Sequence, residues 1–142
     1  MIKQMDCVDY KCHPDTQLIY MDPPYGPENV DNYYGVGESW YDYMVWLEQR
    51  LRMLTLRLDD YNIVIHIDPK ASHRIKVLCD KLIGPLTNEI IWCYTGPSMA
   101  KRHLPRKHDV LLWYGVGDYI FNMPKIPYTS LSSQIYGWDK FQ

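Results

Sequence analysis

An apolar run, Gln17–Met21 (QLIYM), stops abruptly at Asp22-Pro23-Pro24-Tyr25-Gly26. Two adjacent prolines remove two backbone donors and fix two φ angles. A residue that precedes proline, as Asp22 does, is pushed toward an extended conformation. The sequence therefore predicts a short, rigid projection at a strand end that carries a carboxylate, backbone carbonyls and an aromatic face. The Asp22 carboxylate and the Pro23 carbonyl are both acceptors, and two acceptors side by side suit an NH2 group, which has two hydrogens to donate. Tyr25 offers a flat surface for a planar group. An exocyclic amine on a nucleobase satisfies all three. Its lone pair is delocalised into the ring, and gripping both N–H bonds draws the nitrogen toward tetrahedral geometry and frees the lone pair to face an electrophile. This is chemistry by positioning and electrostatics rather than by a covalent intermediate. A base inside a duplex would first have to leave the stack, at a cost of roughly a few kcal/mol that stacking in the pocket repays. The competing reading is a proline-rich turn in which Asp22 only caps backbone groups.

Other residues could complete such a site. Trp92 and Tyr94 lie two apart in "IIWCY", so strand alternation puts them on one face. They either close the second face of a flipped base or pack in the core. From Ile90 to His108 there is no acid, but there are Lys101, Arg102, Arg106, Lys107, His103 and His108. From Cys12 to Gln49 the balance reverses, with seven acids and neither Lys nor Arg. The net charge of −2 makes the chain as a whole no general polyanion binder, so the basic segment is where DNA phosphates would be contacted. His66 and Asp68, in "VIHIDP", end a second apolar run. Asp68 is read as the cap of a following helix, with a supporting role near the site as the alternative.

The elements that must hold these residues follow from periodicity. Gln17–Met21 reads as a short buried strand. A 14-residue loop, Gly26–Ser39, follows, near the length at which loops tend to be functional. Trp40, Met44, Leu47, Leu51, Leu54 and Leu58 recur at steps of four and three, which predicts an amphipathic helix over 40–58 with Ser39 as N-cap. Asn62–Pro69 reads as a central strand covered on both faces. A helix over 72–82 is stopped by Gly84-Pro85. "EIIWCYTG" and "DVLLWYG" form an antiparallel pair joined by the basic loop 95–108, and "DYIFN" adds a short strand. Strand, helix, strand, helix is the α/β pattern. The expected organisation is one domain over 1–122 and an extended or poorly ordered tail over 123–142.

With 142 residues, 46% of them hydrophobic, the chain is long enough for a real core. No run approaches a membrane span of about 18 apolar residues, and "MIKQMDCVDY" lacks the pattern of a signal peptide. A cytoplasmic chain, in a bacterial or phage-infected cell, is expected, with Cys7, Cys12, Cys79 and Cys93 reduced. Cys7, Cys12 and His13 have no second CxxC-like pair to complete a metal site, so no metal is expected. Cys79 and Cys93 read as small core residues.

"LIYMDPPYG" resembles the catalytic motif of the DNA amino-methyltransferases, which methylate N6 of adenine or N4 of cytosine with S-adenosylmethionine. The resemblance runs from about Gln17 to Tyr128. "YMVWLEQRLRML", "NIVIHIDPKASHRIKVLCDKLIG", "NEIIWCY" and "RKHDVLLWY" follow in the order shown by the permuted group, in which the catalytic motif precedes the cofactor motif. That group includes many phage and restriction–modification enzymes. The resemblance implies an α/β, partial Rossmann-like methyltransferase fold, with parallel strands plus an antiparallel C-terminal pair. It assigns Asp22, Pro23, Pro24 and Tyr25 to the amine site, with Asp22 also facing the cofactor. Tyr25, Trp92 and Tyr94 become base-stacking residues, and Lys101, Arg102, Arg106, Lys107 and His108 become DNA contacts. It favours adenine over cytosine.

Relatives also carry an aromatic-x-Gly-x-Gly turn that lets the backbone approach the methionine part of the cofactor. "YYGVG" (33–37) and "WYGVG" (113–117) look similar but stand in the wrong contexts. The first has no strand before it, and the second precedes no helix. The expectation is therefore a catalytic, DNA-facing half whose cofactor turn comes from a second chain or from self-association, or is lost by truncation. A non-catalytic DNA-binding remnant, or an α/β domain in which DPPY is only a turn, are the alternatives.

Overall fold

The structure is a computed structural model that describes residues 4–27, 39–96, 101–102 and 104–123. Four strands form one mixed, open sheet: β1 (Leu18–Met21), β2 (Tyr61–Ile67), β3 (Asn88–Cys93) and β4 (His108–Val116). Their spatial order is β1-β2-β4-β3. β1 runs parallel to β2, with Met21 opposite Ile65. β4 runs antiparallel to both β2 and β3. The crossover from β1 to β2 carries α1 (Trp40–Thr55), and α2 (Pro69–Leu82) follows β2. A 3-10 turn at Cys7–Asp9 precedes the sheet.

Alternation decides which face is the core. Ile19 and Met21 of β1, Ile63, Ile65 and Ile67 of β2, and Val110, Leu112 and Tyr114 of β4 are all buried on one face. Against them pack Tyr43, Leu47, Leu51 and Leu54 of α1 and Ala71, Ile75 and Cys79 of α2. Each fully buried isoleucine or leucine contributes about 1.5–3 kcal/mol. The Ser39 hydroxyl accepts from the Asp42 amide, and the Asp68 carboxylate accepts from the Lys70 amide, so both expected caps are formed. Pro69 stands at the first position of α2, where its missing N–H costs nothing.

Three expectations need correction, and a fourth, that the context of "WYGVG" is not that of a cofactor turn, is consistent with the structure. β2 is central, but among the described residues both helices lie on one face, and Val64 and His66 on the other are only half-buried. A continuous apolar run cannot by itself tell one covered face from two. The "DYIFN" segment forms no strand. It crosses the bare face instead, with the Phe121 ring 5.2 Å from that of Trp113 and the Ile120 carbonyl accepting from Asn62 at 3.0 Å. Cys93 is exposed at the end of the edge strand β3, although Cys79 and Cys12 are buried. Finally, "WYGVG" is the end of β4. Gly117, at φ +63°, turns the chain so that Asp118 donates to Asp60 at 2.7 Å. Val116 pairs with Tyr61 at the amino end of β2, the opposite end of the sheet from Asp22. "YYGVG" and the tail from 124 lie outside the described residues. No helix among the described residues is long and apolar enough to cross a membrane.

Candidate active site

Asp22 leaves the sheet at the carboxyl end of β1, beside the corresponding end of β2, which is where open α/β sheets place their sites. Pro23 is buried and Asp22 is exposed, at 54% of its side-chain surface. Of the two proline carbonyls, that of Pro24 accepts from the buried Tyr43 hydroxyl at 2.6 Å. α1 thereby clamps the turn from below. The Pro23 carbonyl has no hydrogen bond among the described residues. The motif's two carbonyls are thus divided between holding the turn and remaining available.

Tyr25 is half-buried and stands close to Asp22. Burial, together with the Asp22 charge, pushes its phenol up to about 12, so it stays a neutral ring at any physiological pH. Gly26 adopts φ +125°, and a Cβ there would stand 2.7 Å from the Trp40 ring. Only glycine lets the chain turn away from Tyr25 while passing so close to α1.

Behind Asp22 stands a histidine whose part the sequence leaves open. His66 Nδ1 lies 2.9 Å from the Tyr20 hydroxyl and 4.0 Å from Asp22 Oδ1. Its Nε2 lies 3.3 Å from Asp109 Oδ2. Tyr20 and Asp109 thus hold the two ring nitrogens from opposite sides. Trp92 stacks on the same ring at 6.3 Å and 18°, and the Tyr25 ring lies 5.9 Å away. Desolvation raises the Tyr94 phenol, and the nearby Asp109 charge adds to the effect. Tyr20, His66, Asp109 and Trp92 thus share the sheet face opposite the helices.

Trp92 and Tyr94 therefore join Asp22 and Tyr25 around one centre. Trp92 is 57% exposed, so packing in the core is not its role. The expected DNA contacts separate. Lys101 and Arg102 are exposed. Arg106 turns back to grip both oxygens of Asp68 at 2.7 and 2.8 Å. Lys107 reaches the Gly96 carbonyl. His108 opens β4 opposite Cys93. His103 lies outside the described residues.

Two clefts flank the Asp22–Gly26 turn. The larger, about 920 Å³, is lined by Asp22, Pro23 and Pro24, by Ile19 and Met21, and by Met5, Asp6, Cys7, Trp46, Arg50 and Leu54 among others. Arg50 is 7% exposed, stacks 3.9 Å over Trp46, and pairs with Asp6 at 2.6 Å. The Val8 amide, then Arg50, outweighs partial burial and holds the Asp6 carboxyl below its usual range. With Arg50 neutralised by Asp6, this cleft is apolar and carries the spare negative charge of Asp22. Its residues fit an amphipathic ligand that bears a cation. The second cleft, about 550 Å³, lies on the Tyr25 side and is lined by Tyr25, Gly26, Trp40, Asp68, Lys70, His73, Arg74 and Arg106.

A family profile described as DNA methylase (N6_N4_Mtase) matches residues 16–138. The chain belongs to this family. Solved structures with the same fold include the S-adenosylmethionine complex of M1.HpyAVI, at TM-score 0.54 and 16% identity over 80% of this chain and 51% of that one. A second M1.HpyAVI structure matches at TM-score 0.54 and 15% identity, over 80% of this chain and 54% of that one. TTHA0409 of Thermus thermophilus, described as a candidate DNA modification methylase, matches at TM-score 0.55 and 17% identity over 90% of this chain and 53% of that one. The chain thus spans about half the length of these relatives. Comparison with curated proteins finds no match.

Proposed function

We propose that the chain is the amine-binding, DNA-facing part of a methyltransferase that acts on N6 of adenine in DNA, with S-adenosylmethionine as methyl donor. The observation that supports it most is the division of labour at the turn. Pro24 is tied down by Tyr43, Asp22 projects with its carboxylate accessible, and the Pro23 carbonyl is unused among the described residues. Asp22 and the Pro23 carbonyl take the two amine hydrogens. Tyr25 and Trp92 stand on either side of the His66 centre as surfaces for the base. The 920 Å³ cleft, with Asp6 and Asp22, suits the cofactor, which supplies an electrophilic methyl group on a sulfonium. Transfer of that methyl group to the amine nitrogen would leave one N–H proton surplus. Asp22 accepts that proton. His66, held by Asp109 and Tyr20, forms the floor of the site beside Asp22. The remaining cofactor contacts lie beyond the described residues. The basic residues Lys101 and Arg102 belong to the DNA-facing side.

The test is methyl transfer. The purified chain is mixed with S-adenosylmethionine and mixed-sequence duplex DNA, and the digested DNA is analysed by mass spectrometry. Any methylated base that forms is expected to be N6-methyladenine. N4-methylcytosine would overturn the base assignment. A folded sample that neither methylates nor binds DNA would overturn the reading.

A further inference from the structure

The second cleft concentrates cations where the first holds a carboxylate. Lys70, His73 and Arg74 project from α2 at spacings of three and four, so they share one face of the helix, turned away from buried Ala71, Ile75 and Cys79. Arg106 enters from the connection that leads to β4. Among the described residues the only acid in the lining is Asp68, and it is taken up by Arg106. Lys70 and Arg74 have no ion pair among the described residues. The Arg74 guanidinium lies 4.9 Å over the Trp40 ring. Stacking of this kind holds the guanidinium by its face and leaves its in-plane N–H edge free to donate. The opposite wall is Tyr25 and Gly26, the residues that follow the amine-binding prolines.

We infer that this cleft, through Lys70, Arg74 and His73, holds a backbone phosphodiester of DNA at the target nucleotide. The inference rests on the reading of Asp22–Tyr25 as the base site. On that reading the glycosidic bond lies at the edge of the base away from Asp22, and the basic cleft shares Tyr25 and Gly26 with the base site. The site is separate from Lys101 and Arg102 and reads no base edge. It would supply affinity and register rather than sequence choice. The connection 28–38 joins the two walls and carries Glu28, Asp31 and Glu38, so an internal carboxylate is the competing occupant.

Binding of fluorescent duplex DNA by anisotropy across a salt series tests this. Removing one cation from a phosphate makes the slope of log K against log salt shallower by about 0.9. The double variant Lys70→Gln/Arg74→Gln is expected to lose between about one and two units of slope by that rule. The control Arg57→Gln/Lys81→Gln removes the same charge near the opposite ends of the helices and should leave the slope unchanged. Lys70→Arg/Arg74→Lys should retain it, and circular dichroism checks that each variant is folded. Equal loss in the cleft and control variants, or no loss in the cleft variant while the wild type binds, overturns the inference. The second outcome is also what an internal carboxylate would give. If the folded wild type shows no salt-dependent binding, the DNA reading beneath falls as well.

Discussion

The two clefts on either side of Asp22–Gly26 share a partition of five residues and are opposite in charge. On one side, Arg50 is cancelled by Asp6, and Asp22 stands among Met5, Ile19, Met21 and Leu54. On the other, Asp68 is cancelled by Arg106, and Lys70 and Arg74 stand beside Tyr25 and Trp40. In each, one ion pair fixes the wall and leaves charge of a single sign for a ligand. On the proposed function, a sulfonium cofactor and a polyanionic DNA would need such opposite surroundings within reach of one amine. A rigid proline turn lets both surfaces stand close without collapsing onto each other. Complementary fields of this kind discriminate between ligands more than they add affinity.

The comparison can be broken in a graded way. Asp22→Asn should affect the acidic side alone. Methyl transfer is expected to fall by about 10²–10³-fold, the usual effect of removing one preorganised polar group, while the salt slope of DNA binding stays as in the wild type. A parallel fall in DNA affinity would mean that the two sides are not separable. Arg50→Met keeps the stem over Trp46 but unpairs Asp6. A loss of about 1.5–3 kcal/mol in urea denaturation is expected for a charged hydrogen bond, again with the DNA slope unchanged.

Gly26→Ala attacks the partition itself. The φ of +125° and the Trp40 ring 2.7 Å from a new Cβ predict a cost on the order of 1–3 kcal/mol. Unlike Arg50→Met, this variant should disturb both DNA binding and transfer, because Tyr25 moves with it. The smallest effect is in pH. The folded Asp6 carboxyl is lowered from 3.8. Its contribution to stability is therefore fully present above the unfolded value and lost as pH falls through the lower folded one. In acid-unfolding curves, wild type and Arg50→Met should converge only below about pH 3.8. Curves that run parallel through that range would show that the pair does not anchor the wall.

Much of this was legible in the chain. Asp22-Pro23-Pro24-Tyr25 announces itself because proline geometry is local and survives any tertiary context. The 40–58 periodicity and the caps at Ser39 and Asp68 are equally local, and the structure realises them with the helix ending at Thr55. His66 is a different case. Its partner Asp109 is 43 residues away and reaches it only because β4 inserts between β2 and β3. The apolar run at Cys93 reads the same at a sheet edge as in a sheet centre, so its exposure could not be inferred. The Arg106–Asp68 pair was equally hidden, since a basic loop gives no sign of which cation is already spent.

The sequence by itself determined the chemistry of the turn, the two helices and the family resemblance, because these depend on residues adjacent in the chain or one helical turn apart. Only the tertiary structure decided strand order, which face of the sheet is bare, and which charges cancel. Those depend on long-range pairing, where the deciding energy comes from surfaces that meet only when the chain has folded.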